Sequence, residues 1–259
     1  GLRMLIPYII SSASRVLITY ILSRSDMEFD TDVDQQPNQD NRPLVSVLIP
    51  SYNHQQYIEN TIKSIWEQSY SNIEIVVVDD CSTDNSWQVI LDLEKISPMR
   101  MKVLRNERNM GPAATINVAL GISTGDFINL FSSDDLFLPN RFEGALQCFE
   151  NNPYLEIVYS NGRELRDGEE GKRVHDNGVI KLLSKLPLKI SNFLFTNINP
   201  FFVQAALINR KTIDRVGGMD ANLLADDWLL NSRIFHSFSN KRQYCYYDQD
   251  VFLYRKHDT

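Results

Sequence analysis

VSVLIPSYNHQQYIENTIKSIWEQSYSNIEIVVVDDCSTDNSW, residues 45–87, decides the fold. The apolar run Val45 to Ile49 reads as a strand that should end at Pro50, because proline cannot donate to a sheet ladder. Ile58, Ile62, Ile65 and Trp66 then recur at the spacing of one helical face. Ile73 to Val78 is a second apolar run, rich in β-branched residues and closed by Asp79-Asp80. Strand, helix and strand in that order make a βαβ unit with a parallel pair. Both strands are apolar on both faces, as expected of a parallel sheet covered by helices. Ligands bind in the crevice at the carboxyl ends of such strands. Here those ends carry Ser51, Tyr52, Asn53, Asp79 and Asp80, which predicts a nucleotide-sized polar pocket.

Downstream, the same alternation continues. Ser82 to Asn85 offers caps for a helix through Trp87, Ile90 and Leu93. A third strand is expected at Met101 to Leu104, a polar loop at Arg105 to Gly111 and a helix at Pro112 to Leu120. Asp126 to Phe131 reads as a fourth strand ending in Ser132-Ser133-Asp134-Asp135, with a helix from about Pro139 and a strand at Glu156 to Tyr159. Asn161 to Gly178 reads as a hairpin turning at Asp167-Gly168. Leu182 to Phe195 is expected to be helical, Phe201 to Ile208 a strand, and Lys211 to Val216 a short helix. Asp226-Asp227 opens a helix through Trp228 and Ile234, and Tyr244 to Tyr254 supplies one or two strands. The fold class is therefore α/β, with a mostly parallel sheet flanked by helices.

At 259 residues and a formal net charge of −7, the chain suits one large domain and not a nucleic-acid partner. Three distant cysteines, Cys81, Cys148 and Cys245, show no metal spacing and fit a reduced, cytoplasmic chain. Residues 1–25 are expected to form an amphipathic helix. Its stretch 4–22 is apolar but interrupted by Pro7 and Arg15, so it suits the inner face of the cell membrane, or packing on protein, better than spanning. Residues 26–42 read as an acidic linker. Asp30, Asp32 and Asp34 within it lack the glycine turn and terminal glutamate of a calcium loop. A folded domain is expected over 43–259, in two halves: 43–160, which carries the predicted nucleotide-sized pocket, and 161–259.

Three aspartate pairs, Asp79-Asp80, Asp134-Asp135 and Asp226-Asp227, fall at element junctions. A single pair is an ordinary turn or cap. Three gathered in one cleft would repel unless a cation were present. Open carboxylates favour Mg²⁺ or Mn²⁺, which also binds a diphosphate.

VSVLIPSYN, IVVVDDCSTDNS, NMGPAATIN, the strand ending FSSDD and VGGMDANLLADDW together resemble the family 2 glycosyltransferases, from Val45 to at least Trp228. The resemblance implies a glycosyltransferase A-type fold and inverting transfer of a sugar from a nucleotide donor, usually a UDP-sugar, to a glycan or lipid-linked acceptor in surface-polysaccharide synthesis. It assigns Pro50, Tyr52 and Asn53 to the nucleoside pocket, Asp79 and Asp80 to the base and ribose, and Gly111 to a loop that approaches the donor. Asp134 and Asp135 resemble the metal motif Asp-x-Asp-Asp, with Ser132 in place of its first aspartate and Asp135 as the chief expected ligand. Asp226-Asp227 resembles a Glu-Asp pair, with Asp227 as general base held ionised by the helix dipole. His257, in YRKHDT, resembles a histidine that reaches the metal or diphosphate, with Arg255 beside phosphate. His54, Trp228 and Arg233 are candidates for the acceptor side.

Two other readings compete. A sugar nucleotidyltransferase would need a glycine-rich basic loop after the first strand, and Ser51-Tyr52-Asn53-His54 is not one. A catalytically silent glycan-binding relative is suggested by Ser132.

Overall fold

The structure, a computed structural model, describes residues 42–222 and 226–257, with only the backbone at Asp226. The chain divides into two units, Gly1–Asn41 and Arg42–Thr259. The expected N-terminal helix, nearly all of the acidic linker and the stretch 4–22 lie outside the described residues. Among the described residues, no helix is long and apolar enough to cross a membrane.

The expected βαβ unit is present as β1 (Val45–Ser51), α1 (Ile58–Trp66) and β2 (Ile73–Asp79). It continues through α2 (Ser86–Ile96), β3 (Arg100–Arg105), α3 (Pro112–Ile122) and β4 (Phe127–Leu130). Strands β3, β2, β1 and β4 are parallel neighbours in that order. Strand β1 runs through Pro50 rather than stopping before it. The reason is the pairing: β4 accompanies β1 only as far as Leu48, so on that side the nitrogen of Pro50 meets no ladder partner.

Val45, Val47 and Ile49 join Ile73, Ile75 and Val77 in a core completed by Ile58, Ile62 and Ile65 of α1. The alternate residues Leu48, Val76 and Val78 are equally buried, with α3 packed on β1 and β2. Both faces of the sheet are thus covered, which is why these strands carry no polar alternation. Glu74 and Ser46 are the exceptions. Glu74 accepts from Ser46 Oγ at 2.6 Å and Gly125 N at 3.0 Å and from Thr124 N, and it pairs with Lys102 at 3.0 Å. Burial alone would raise its carboxyl, but these partners hold it below the usual carboxylate range. Gly125 is required here, since a Cβ would come within 2.8 Å of the Ser46 and Leu44 backbones.

The second half closes the same sheet in mixed sense. It comprises β5 (Leu136–Phe137), α4 (Glu143–Asn151), β6 (Ile157–Arg166), β7 (Glu169–Arg173), α5 (Asn177–Leu183), α6 (Pro187–Thr196), β8 (Ala206–Asn209), α7 (Arg210–Val216), α8 (Asp226–Ser237) and β9 (Tyr244–Arg255). The order is β3-β2-β1-β4-β8-β6-β9-β5, with β7 paired to β6. The expected hairpin turns at Asp167 and Gly168, both at positive φ (52° and 87°), as a two-residue type I′ turn demands. The single helix expected over 182–195 is instead two, because Pro187 starts α6 and cannot continue α5. The chain's last strand is unbroken and lies parallel to β6, with two register shifts.

Candidate active site

The loops after β1, β2 and β4 converge on an open cavity of about 290 Å³. Pro50, Ser51, Tyr52 and His54 form one wall, Asn109, Gly111 and Pro112 another, and Asp80, Ser132, Ser133 and Asp134 complete it. Two of the three aspartate pairs therefore meet at one cavity, each through one member.

Asp80 is buried at its edge and organises the loop opposite. Its Oδ1 accepts from Asn106 Nδ2 at 2.7 Å and Met110 N at 2.9 Å, and its Oδ2 from Gly111 N at 2.8 Å. A carboxylate offers about four lone-pair directions, so one remains for a ligand. Gly111 has φ 82°, which a glycine adopts without strain, and nothing lies within 4 Å of the place its Cβ would take. That open side lets a ligand approach the backbone at the start of α3.

Asp79, expected beside Asp80 against the nucleoside, does not line the cavity. It is fully buried, accepts from Ser82 N at 3.0 Å and pairs with Arg105 Nε at 3.1 Å. Asn53 likewise binds chain rather than lining the cavity: its N–H donates to Ser82 Oγ at 2.9 Å and its Oδ1 accepts from Thr83 N at 2.8 Å. Asn53 ties the β1 loop to the β2 loop, and Asp79 ties the β2 loop to β3. Tyr52 stands exposed on the wall itself.

Of the second pair, Asp134 faces the cavity and Asp135 faces the protein. Asp135 is completely buried and its Oδ1 accepts from Arg255 N at 2.8 Å, while its Oδ2 has no partner among the described residues. Burial first, and then the Asp134 charge, push its carboxyl well above the usual range. Asp135 therefore anchors β9 and does not line the cavity, whereas Asp134 does. Asp134 Oδ2 lies 2.7 Å from His257 Nε2, and Arg255 Nε donates to the Asp134 carbonyl at 2.8 Å. Ser132, at the position of the missing aspartate, accepts from Gln204 Nε2 at 3.1 Å. No group of three or more His, Cys, Asp or Glu side chains able to hold a metal occurs among the described residues.

Asp227 sits in the first turn of α8 and is not part of the cavity wall. Asn199 Nδ2 donates to its Oδ2 at 3.2 Å. Burial raises its carboxyl above the ordinary value, against the Trp228 N–H and the Asn199 amide, which favour the charged form. The helix N-terminus was expected to keep it readily ionised; desolvation outweighs that. Tyr254 of β9 is half-buried. Its hydroxyl is raised by burial and then by the carboxylates of Asp135, Asp134, Glu164 and Asp227. Asp226 has no described side chain.

Of the other candidates, His54 belongs to the cavity, with Nδ1 2.7 Å from Ser133 Oγ. Trp228 donates its indole N–H to the Leu194 carbonyl, and Arg233 donates to the Gly218 carbonyl. Both are structural ties among α6, α8 and the loop before α8.

Sequence reasoning missed the residues that hold this frame. His175 is buried, with Nδ1–H donated to the Ser160 carbonyl at 2.9 Å and Nε2 accepting from Phe202 N at 3.0 Å. Burial lowers it to about 4, which keeps the ring neutral and its tautomer set by these two partners. Arg141 is also fully buried and lowered to about 9 by burial. It donates to the carbonyls of Gln204 at 3.1 Å and Ala206 at 3.2 Å. It thereby fixes the segment from which Gln204 reaches Ser132. Neither residue carries a sequence signal of burial, since both types are usually exposed or only partly covered.

A sequence profile for glycosyl transferase family 2 matches residues 46–218. An uncharacterized glycosyltransferase of Haemophilus influenzae is 32% identical over 176 residues, 67% of this chain and 65% of that protein. The Escherichia coli UDP-Glc:alpha-D-GlcNAc-diphosphoundecaprenol beta-1,3-glucosyltransferase WfgD is 36% identical over 118 residues, 46% of this chain and 45% of that protein. Among solved structures, S. aureus TarS in complex with UDP-GlcNAc superposes with a TM-score of 0.66 at 21% identity, over 83% of this chain and 59% of that one. The chain thus spans less than two-thirds of the length of each of these proteins. With the profile covering more than half of its residues and a mixed α/β sheet matching the glycosyltransferase A-type neighbours, the chain belongs to the family 2 glycosyltransferases.

Proposed function

We propose that this protein transfers a sugar from a UDP-sugar to a glycan or lipid-linked acceptor with inversion at the anomeric carbon, in the synthesis of a surface polysaccharide. The observation that carries the reading is one cavity bounded by Asp80, Gly111 and Asp134, with a further carboxylate, Asp227, held by Asn199 in the first turn of α8 outside its wall. Asp80 keeps one lone-pair direction for a uracil N–H or ribose hydroxyl, Tyr52 offers a face to the base, and Gly111 leaves room for the diphosphate. WfgD, by its name, takes UDP-Glc and a diphosphoundecaprenol-linked acceptor, and TarS binds UDP-GlcNAc; both favour a UDP donor.

Asp227 is the proposed general base. Inversion is a single displacement in which the acceptor hydroxyl loses its proton as it attacks. A carboxyl raised by burial is the stronger base once ionised, a contribution of roughly 10²–10⁴-fold. Asn199 holds its Oδ2 and so orients it.

The donor set fits a divalent cation of the Mn²⁺ or Mg²⁺ kind. Asp134 and His257 present one carboxylate oxygen and one imidazole nitrogen 2.7 Å apart beside the cavity, a hard and a borderline donor that suit Mn²⁺ especially. Bound there, the cation would offset charge growing on the departing diphosphate. His54 and Ser133 lie alongside to orient the same oxygens.

Release of UDP from UDP-glucose and UDP-GlcNAc in the presence of Mn²⁺ tests the reading. Loss of release in both Asp134→Ala and Asp227→Asn supports it, and unchanged release in both would overturn the site. A catalytically silent relative is the one rival with an observation behind it, the serine at Ser132. Tight UDP binding with no turnover of any donor would establish that rival.

A further inference from the structure

Residues 177–198 carry three lysines and no acidic side chain, in a protein whose formal net charge is −7. Lys181, Lys185 and Lys189 recur every fourth position, all are exposed, and none forms an ion pair among the described residues. The same segment shows large apolar side chains to solvent: Leu186 is 58% exposed, Leu188 62%, Phe195 65% and Ile198 83%. Leu188 and Phe195 are seven residues apart, so they share one face of α6. The opposite face is filled by Ile190, Ser191 and Leu194, which are buried, so α6 is committed to the fold and not free to turn its apolar outer residues inward. It packs on α8, where Trp228 donates to the Leu194 carbonyl.

Beside Phe195 lies a groove of about 250 Å³ floored by Val216 and Leu229 and edged by Arg215, Arg233 and His236. Arg215 is paired with Glu156, but no acidic residue lines the groove itself. Exposed apolar side chains in one segment with lysines unpaired among the described residues, on the outside of an acidic protein, are the pattern of a surface that lies at a headgroup layer.

We propose that α5 and α6 form a docking surface for an anionic phospholipid bilayer, with Leu186, Leu188, Phe195 and Ile198 entering the headgroup region and Lys181, Lys185 and Lys189 contacting phosphates. The partner is set by charge: an anionic surface attracts this patch and repels the rest of the molecule. Ile198 adjoins Asn199, whose amide holds Asp227, so docking would bring the bilayer surface towards the proposed base. Docking itself stands apart from the enzymatic reading; only its use, presenting a lipid-linked acceptor to Asp227, rests on that reading.

The test is vesicle flotation of the full chain, with phosphatidylcholine vesicles and with vesicles that also contain phosphatidylglycerol. Binding is expected only to the second, and the triple variant Lys181→Glu/Lys185→Glu/Lys189→Glu should weaken it about 100-fold. Leu188→Ser/Phe195→Ser should weaken it at least about tenfold, with far-ultraviolet circular dichroism unchanged. Binding of the triple variant equal to the parent's would overturn the proposal, as would equal affinity for the two vesicle types. A change in the chain's own sedimentation coefficient in the double variant, with vesicle binding intact, would also overturn it and mark a self-association face. UDP release from a soluble donor, measured on the same variants, should be unchanged, so failed docking and a failed enzymatic reading give different results.

Discussion

His257 Nε2 and Asp134 Oδ2 lie 2.7 Å apart although 123 residues separate them in the chain. The contact joins the segment after the last strand to the loop after β4, and Arg255 reinforces it by donating to the Asp134 carbonyl and the Asp135 carboxylate. The end of the described chain is therefore part of the candidate site. Removal of one donor of the pair should weaken Mn²⁺ binding at least about tenfold. Thermal shift as a function of Mn²⁺ concentration on His257→Ala checks this; a midpoint equal to the parent's would exclude His257 as a donor.

Asp227→Asn should lower kcat by about 10²–10⁴-fold, with little change in KM for the donor, since Asp227 lies outside the cavity wall. Burial raises the Asp227 carboxyl, so activity should fall on acidification from a point above the usual carboxylate range. Below that point the base is protonated and cannot accept. A pH profile of kcat with its acidic limb in the ordinary carboxylate range would contradict the assignment.

Asp80→Asn should loosen the loop 106–111, because its carbonyl oxygen can still accept from Asn106 and Met110 but its NH2 then meets the Gly111 N–H in place of an acceptor. An unmet buried donor costs about 1–3 kcal/mol, and UDP affinity by calorimetry should fall about 10–100-fold. Asp79→Asn should act chiefly on stability through Arg105 and Ser82.

Glu74 provides a pH-dependent contribution to stability away from the site. Its folded carboxyl is held below the value of the unfolded chain, so its contribution is present above the unfolded value and is lost as pH falls through the folded one. Glu74→Gln should cost about 2 kcal/mol near neutrality, and the gap to the parent should close on acidification. Denaturant melts at several pH values measure it. A gap independent of pH would show that the charge is not what matters.

Ile62→Ala removes a fully buried side chain from the core between α1 and the sheet. A loss of about 2–5 kcal/mol is expected from the cavity it leaves, read as a shift in the urea midpoint at constant slope.

The sequence by itself determined the parallel half. Val45 to Ile49 and Ile73 to Val78 are apolar on both faces except at Ser46 and Glu74, and Ile58, Ile62 and Ile65 repeat with a helix's period, so local pattern and global burial agree. It also determined that the pairs Asp79-Asp80 and Asp134-Asp135 would stand at one rim, because both follow apolar strands whose loops are delivered to one edge of the sheet. Tertiary structure decided which oxygens face that rim. Within the Asp79-Asp80 and Asp134-Asp135 pairs the two side chains diverge, and their partners choose between them: Arg105 and Ser82 draw Asp79 inward, and the Arg255 backbone draws Asp135. The buried polar frame of His175 and Arg141 was likewise invisible beforehand, since its hydrogen-bond partners are backbone carbonyls and an N–H placed by the fold and not by residue type.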